Sequence, residues 1–398
     1  MGRAADRIAG SKPYIFQTLA RRKAEALARG VDVIDLGVGN PDLPPAPELI
    51  RELHDALDDR EAQLHRYPSF DGLPELREAI VRWYRERFGV EGLDARSEAL
   101  PLIGTKEGIG HLYLALLNPG DVVLVPTPCY PAYLGAAGVA QAEVVEMPLL
   151  AENGFRVDVS RIPPEAARRA KLLLLNYPGN PTGACAGLDH YREVLEFAER
   201  YDLVVVSDIA YADLVLDEGA PAPSILEIPG AKDRAVEFYS FSKTFGMAGW
   251  RVGFVAGSSE VIGLLLKLKS NLDFGVFLAV QRAAARILTG SRKPIDDLKA
   301  IYRRRRDLMV EGLRNAGWNV DVPPATLYLW TRIPPGFPDS MTFTEKLFDE
   351  TGVQLSPGSA FGASGEGWCR ISLVVDEERT REAVRRVKES GVLGVRTG

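Results

Sequence analysis

Six short runs rich in Val, Leu and Ile constrain this chain more than any other feature. They are ALPLI (99–103), DVVLVPTP (121–128), AEVVEMPL (142–149), KLLLLNYP (171–178), DLVVVSD (202–208) and AVEFYSFS (235–242). Each has the length of a strand, and several are apolar throughout. A strand buried on both faces reads this way, so a parallel sheet covered by helices is expected. Helical patterns accompany them, including PELREAIVRWYRERFG (74–89) and LDHYREVLEFAERYD (188–202). This alternation predicts an α/β fold.

The pattern changes towards the C-terminus. Residues from about 275 to 318 read as long helices. After them come ATLYLWTRI (325–333), a helix near 343–351, WCRISLVV (368–375) and a last helix, EERTREAVRRVKES (377–390). That is a smaller α+β unit. The expected division is a large domain over 46–290 and a small one over 291–398. Residues 1–45 precede the sheet and are expected to supply an N-terminal arm and part of the small domain, a placement that pattern alone does not derive.

Composition narrows the function. The chain has 398 residues, 48 basic against 54 acidic, and a net charge of -6, which argues against a general nucleic-acid binder. The dense basic run Arg303 to Arg306 reads as a charged helix turn rather than a phosphate patch. Three scattered cysteines suit a reducing compartment, and the four histidines show no zinc-ligand spacing. The opening MGRAADRIAGSKPYIF has no apolar signal core, and no run reaches membrane-spanning length, so a cytoplasmic protein without membrane contact is expected.

In open α/β sheets, ligands bind beyond the carboxyl ends of the strands. Four runs end in chemistry there. KLLLLNYP leads to GNPTG with Asn180; DLVVVSD ends on Asp208 with Tyr211 beyond; AVEFY leads to SFSK with Lys243; ALPLI leads to GTKEG. Each alone has a plain structural use. Asp208 can cap a helix, Asn180 can make a turn, Lys243 can snorkel, and GTKEG can start any helix. Taken together they suit one cofactor, pyridoxal 5′-phosphate. A buried lysine amine forms a Schiff base with its aldehyde. A carboxylate keeps its pyridine nitrogen protonated. A helix start with free N–H groups takes its phosphate.

Asn180-Pro-Thr-Gly, Asp208-x-x-Tyr211 and Ser240-x-Ser242-Lys243 with Arg251 resemble the class I/II aminotransferases of pyridoxal-phosphate fold type I. The likeness runs from LGVGNPD (36–42) to CRISL (369–373) and is nearest to the branch of bacterial alanine transaminases and LL-diaminopimelate aminotransferases. It implies a mostly parallel seven-stranded sheet with a smaller α+β domain. It implies that Lys243 carries the cofactor and shuttles the substrate proton. Asp208 would pair with the ring nitrogen, Tyr211 and Asn180 with the ring oxygen O3′, and Tyr130 would stack on the ring. The phosphate would take Thr105, Lys106, Ser240, Ser242 and Arg251. Tyr67 would reach the phosphate of a neighbouring subunit, implying a homodimer with shared sites. Arg370 would grip the substrate α-carboxylate, with the Gly39 backbone close by.

The implied reaction is transfer of an amino group between an α-amino acid and a 2-oxo acid by a ping-pong cycle. SNLDFGVFLA (270–279) has no arginine for a distal carboxylate, which disfavours a dedicated aspartate enzyme. Lys106 is a candidate for that contact, or an ordinary helix-start lysine. A carbon–sulfur β-lyase on the same fold is the alternative reading.

Overall fold

The computed structural model describes residues 4–9, 15–219 and 221–394. Residues 1–3 and 10–14 of the expected arm lie outside the described residues, as do Ala220 and 395–398.

A seven-stranded sheet organises the larger part. Its strands run in the order Ala99–Leu102, Gly253–Gly257, Ala235–Ser240, Val204–Asp208, Ala170–Asn176, Val122–Thr127 and Glu143–Pro148. The last five pair in parallel, and Gly253–Gly257 runs antiparallel to both its neighbours. The α/β expectation holds, with six of these strands starting and ending close to the apolar runs. The seventh, Gly253–Gly257, is not among those runs. The central strands are buried along nearly their whole length, because helices cover both faces.

Two smaller sheets accompany it. Tyr328–Arg332, Trp368–Ser372 and Ser356–Pro357 form an antiparallel set. Ile34–Asp35 pairs in parallel with Val353–Gln354, so the start of the chain joins the C-terminal strands. Helices Lys293–Asn315 and Glu377–Ser390 pack together over a separate apolar core holding Met309, Leu313, Leu347 and Val387.

The basic run lies within the helix Lys293–Asn315, as a helix turn should. Its reading as a charged turn needs amendment, because two of its four arginines are buried. Arg305 forks onto both Asp42 carboxylate oxygens at 2.8 Å and donates to the Leu373 carbonyl at 3.0 Å. Arg306 pairs with Asp217 and donates to the Pro323 carbonyl at 3.1 Å. These partners are distant in sequence, so local pattern gives no sign of them. Among the described residues, no helix is long and apolar enough to cross a membrane.

Candidate active site

A cavity of ≈ 670 Å³ opens at the carboxyl ends of the central strands, and Tyr328 and Arg370 of the small sheet also line it. Strand ends deliver its polar groups. Asp208 is the last residue of its strand, and Asn176 is the last residue of the neighbouring one. Strand Ala235–Ser240 runs straight into the one-turn helix Phe241–Thr244, which carries Lys243. Ser240 caps that turn by accepting the Ser242 N–H at 3.2 Å.

Lys243 donates from Nζ to the Gly39 carbonyl at 2.8 Å. Burial holds its amine below the usual lysine range, and the positive charges of Arg370 and Arg251 push the same way. Its amine is therefore more readily neutral than a surface lysine, as a nucleophile must be. Gly39 is required here by space, since a β-carbon would lie 2.1 Å from the Tyr328 hydroxyl.

Asp208 is 4% exposed. Its Oδ2 accepts from the Tyr133 hydroxyl at 2.7 Å and its Oδ1 from the Ala210 N–H at 3.1 Å. Burial outweighs both bonds and lifts its carboxyl to about 6. A protonated ring nitrogen beside it would supply the missing counter-charge. Asn176 braces the neighbourhood, donating to the Asp208 carbonyl at 2.8 Å and accepting the Asn180 N–H at 2.8 Å.

At one end of the cavity the helix Thr105–Leu116 begins. Its first-turn N–H groups have no intrahelical acceptors, and the helix dipole favours an anion there. Gly104 precedes it at φ 83, and a β-carbon on Gly104 would meet Arg251 Nη2 at 2.6 Å. Arg251 sits in a left-handed conformation, φ 54, and its guanidinium reaches the Ala248 and Ile103 carbonyls at 2.9 and 3.4 Å.

At the other end is Arg370, 2% exposed. Nη1 donates to Asn180 Oδ1 at 2.9 Å and Nη2 to the Gly37 carbonyl at 2.7 Å. Its Nε has no hydrogen-bond acceptor among the described residues. A buried donor without an acceptor is costly unless a ligand supplies one.

Twelve of the residues singled out from sequence therefore line one cavity: Gly39, Thr105, Lys106, Tyr130, Asn180, Asp208, Tyr211, Ser240, Ser242, Lys243, Arg251 and Arg370. Tyr67 lies elsewhere, 82% exposed, with its ring 4.6 Å from that of Phe274. Sequence reasoning misses Asn176, Tyr133 and Tyr328. Asn176 ends an apolar run, so the rule that finds Asp208 also applies to it. Tyr133 and Tyr328 carry no such signal.

The residues fit pyridoxal phosphate. An anion cradle, a buried carboxylate and a neutral-leaning lysine share one cavity, which Arg370, with its Nε unmet, also lines. Fold and site together define a pyridoxal-phosphate enzyme of fold type I. The family described as aminotransferase class I and II matches residues 31–387, and the chain belongs to it. It is 46% identical over 385 residues to the LL-diaminopimelate aminotransferase of Syntrophobacter fumaroxidans, covering 97% of this chain and 98% of that one. It is 44% identical to the enzyme of that name from Gloeobacter violaceus, covering 98% and 99%. Among solved structures, substrate-bound BacF from Bacillus subtilis superposes with a TM-score of 0.94 at 36% identity, covering 98% of each chain. A probable N-succinyldiaminopimelate aminotransferase from Thermus thermophilus gives 0.87 at 40% identity, covering 94% of this chain and 100% of that one. The chain is a pyridoxal-phosphate-dependent aminotransferase acting on small amino and 2-oxo acids.

Proposed function

We propose that this aminotransferase takes its amino group from an acid of the LL-diaminopimelate type and passes it to a 2-oxo acid. The observation that carries the α-amino acid part is the pairing of Lys243 with Arg370 across one cavity, the first held at Gly39 and the second with Nε unmet. The substrate class follows relatives of that name at 42–46% identity over nearly the whole chain.

In this reading the cofactor supplies an aldehyde for the amine and a ring that delocalises the electron pair left when Cα loses its proton. The protein does the rest. Arg370 forks onto the α-carboxylate, and its bond to Asn180 sets the plane of that fork. Lys243 would hold the cofactor through its amine, and its Nζ would move the proton at Cα. Asp208 keeps a proton at the ring nitrogen, and Tyr133 orients that carboxylate. Tyr211 and Asn180 bind the ring oxygen, and Tyr130 covers the ring. Thr105, Ser240, Ser242, Arg251 and Lys106 hold the phosphate. The two acids use the Arg370 site in turn, which gives a ping-pong cycle.

The reading extends to a cytoplasmic homodimer in which Tyr67 serves the partner's site. Tyr67, Phe70 and Phe274 form an exposed aromatic patch that supports such a contact. It also divides the chain at about residue 290, between the helices Leu278–Thr289 and Lys293–Asn315.

The test is a spectrum of the loaded enzyme mixed with one amino acid at a time and no acceptor. LL-diaminopimelate should shift the visible band stoichiometrically to the pyridoxamine form. Conversion by alanine or glutamate alone would move the donor to that class. Release of pyruvate and ammonia without acceptor, from a cysteine conjugate, would establish the β-lyase instead.

A further inference from the structure

We propose that Tyr328 is a positioning residue of this aminotransferase, its ring fixing the Arg370 guanidinium and its hydroxyl fixing that of Tyr211. The inference rests on the functional reading above for the identity of the ligands, and deepens it by a residue outside the recognised motifs.

Tyr328 opens the strand Tyr328–Arg332 and is 2% exposed. The Arg370 guanidinium lies 4.2 Å from its ring centre, and the Phe361 ring is 4.7 Å from the same group. A guanidinium laid on an aromatic face keeps its in-plane donors free for a carboxylate. Two donors are already committed, to Asn180 and Gly37, so the ring contact fixes the tilt of the remaining edge.

The hydroxyl has a separate use. It lies 3.0 Å from the Tyr211 hydroxyl, and either can donate. It also packs on Gly39, whose carbonyl accepts from Lys243. Phenylalanine would fill the same core volume, and a buried hydroxyl costs free energy unless it is paired. The hydroxyl therefore has a role beyond packing.

Backbone strain points the same way. Thr326, two residues earlier, is β-branched and adopts φ 72. Such a residue is an outlier in that region and is held there only by its surroundings. Its N–H donates to the Leu214 carbonyl at 2.8 Å, and its Oγ1 accepts the Tyr328 N–H at 3.2 Å. Leu214 in turn donates to the Tyr211 carbonyl at 2.9 Å. One short chain of bonds thus ties the backbones of both tyrosines. Charge agrees: burial opposes ionisation of the Tyr328 phenol, but Lys243, Arg370 and the hydrogen bond with Tyr211 together hold the phenol below the usual range. Tyr328 in return favours the proton on Lys243.

Two variants separate the functions. Tyr328→Phe keeps the ring and removes the hydroxyl; Tyr328→Leu removes both. In the loaded enzyme, Tyr328→Leu should raise KM for alanine, glutamate and LL-diaminopimelate alike, by about 30-fold for one desolvated ring–cation contact. Tyr328→Phe should lower kcat while leaving KM within about 2-fold, a loss confined to the turnover step. In the cofactor-free protein, cyanate labelling of Lys243 against pH, read by mass spectrometry, should show a midpoint moved to lower pH in Tyr328→Phe. Equal KM values across the three proteins, or an unmoved labelling midpoint with unchanged kcat, would overturn the assignment. A wild-type protein that transaminates none of the three acids would overturn the functional reading, and the labelling profile would still decide the role of Tyr328.

Discussion

Replacing Asp208 by Asn isolates the cost of burying a carboxylate before its cofactor arrives. Burial raises the Asp208 carboxyl from 3.8 to about 6. A raised folded-state value means stability that is fully present below 3.8 and lost as pH rises through about 6. Across the whole window the two values correspond to about 3 kcal/mol. Between pH 8 and pH 5 the linkage relation gives about 1.4 kcal/mol of that. Asparagine does not titrate. In the cofactor-free protein, wild type should therefore gain about 1.4 kcal/mol on the variant when pH falls from 8 to 5. The hydrogen bonds from Tyr133 and Ala210 are already counted in the value of about 6, because they favour the ionised carboxylate and offset part of its burial. Glu237, raised to about 7 by burial, titrates in both proteins and cancels in this difference. Urea unfolding of both proteins at several pH values measures the quantity directly. A difference that is flat with pH, or grows in the variant's favour at pH 5, would refute the burial argument. In the loaded enzyme the order reverses, because the carboxylate then has a cationic partner, and Asp208→Asn should bind pyridoxal phosphate more weakly.

Other perturbations test the rest of the site. Lys243→Ala should bind the cofactor without a covalent link and lose turnover by several orders of magnitude; full activity in a single-turnover assay would remove Lys243 from the reaction. Gly39→Ala places a methyl 2.1 Å from the Tyr328 hydroxyl. It should cost about 1–3 kcal/mol in denaturant unfolding and raise KM, and a neutral outcome in both would contradict the close packing. Arg305→Met strands the Asp42 carboxylate, whose side chain is 28% exposed. Partial exposure discounts the usual penalty for a broken buried pair to about 2 kcal/mol, and Arg305→Met with Asp42→Asn should recover part of it. Strictly additive losses in that cycle would show that the pair is not coupled.

The strands are legible because burial on both faces writes itself into sequence as an unbroken apolar run. Gly253–Gly257 escapes because GFVAG is short, begins and ends in glycine, and runs against both neighbours. Its place is dictated by contacts that sequence does not display: a β-carbon on Gly257 would lie 2.3 Å from the Ala235 carbonyl. In the site, Lys243, Asp208 and Asn180 are readable because polar groups at the ends of apolar strands have no packing reason to be there. Tyr328 is not, since ATLYLW reads as core and its partners belong to other elements. The arginine run misleads for the same reason. Arg305 and Asp42 are 263 residues apart, and only the folded chain brings them together.

Lys243 stands on a turn that continues the large sheet, whereas Arg370 belongs to the small one. On the proposed function, a substrate gripped by its carboxylate at Arg370 and reacting at Lys243 would span the seam between two structural layers. It would act as a strut between them. Attraction at the carboxylate is then spent on aligning the carbon next to it, rather than on tighter holding. An amine without that carboxylate has no strut to offer. It should enter the cavity and still turn over slowly, however well the rest of it fits.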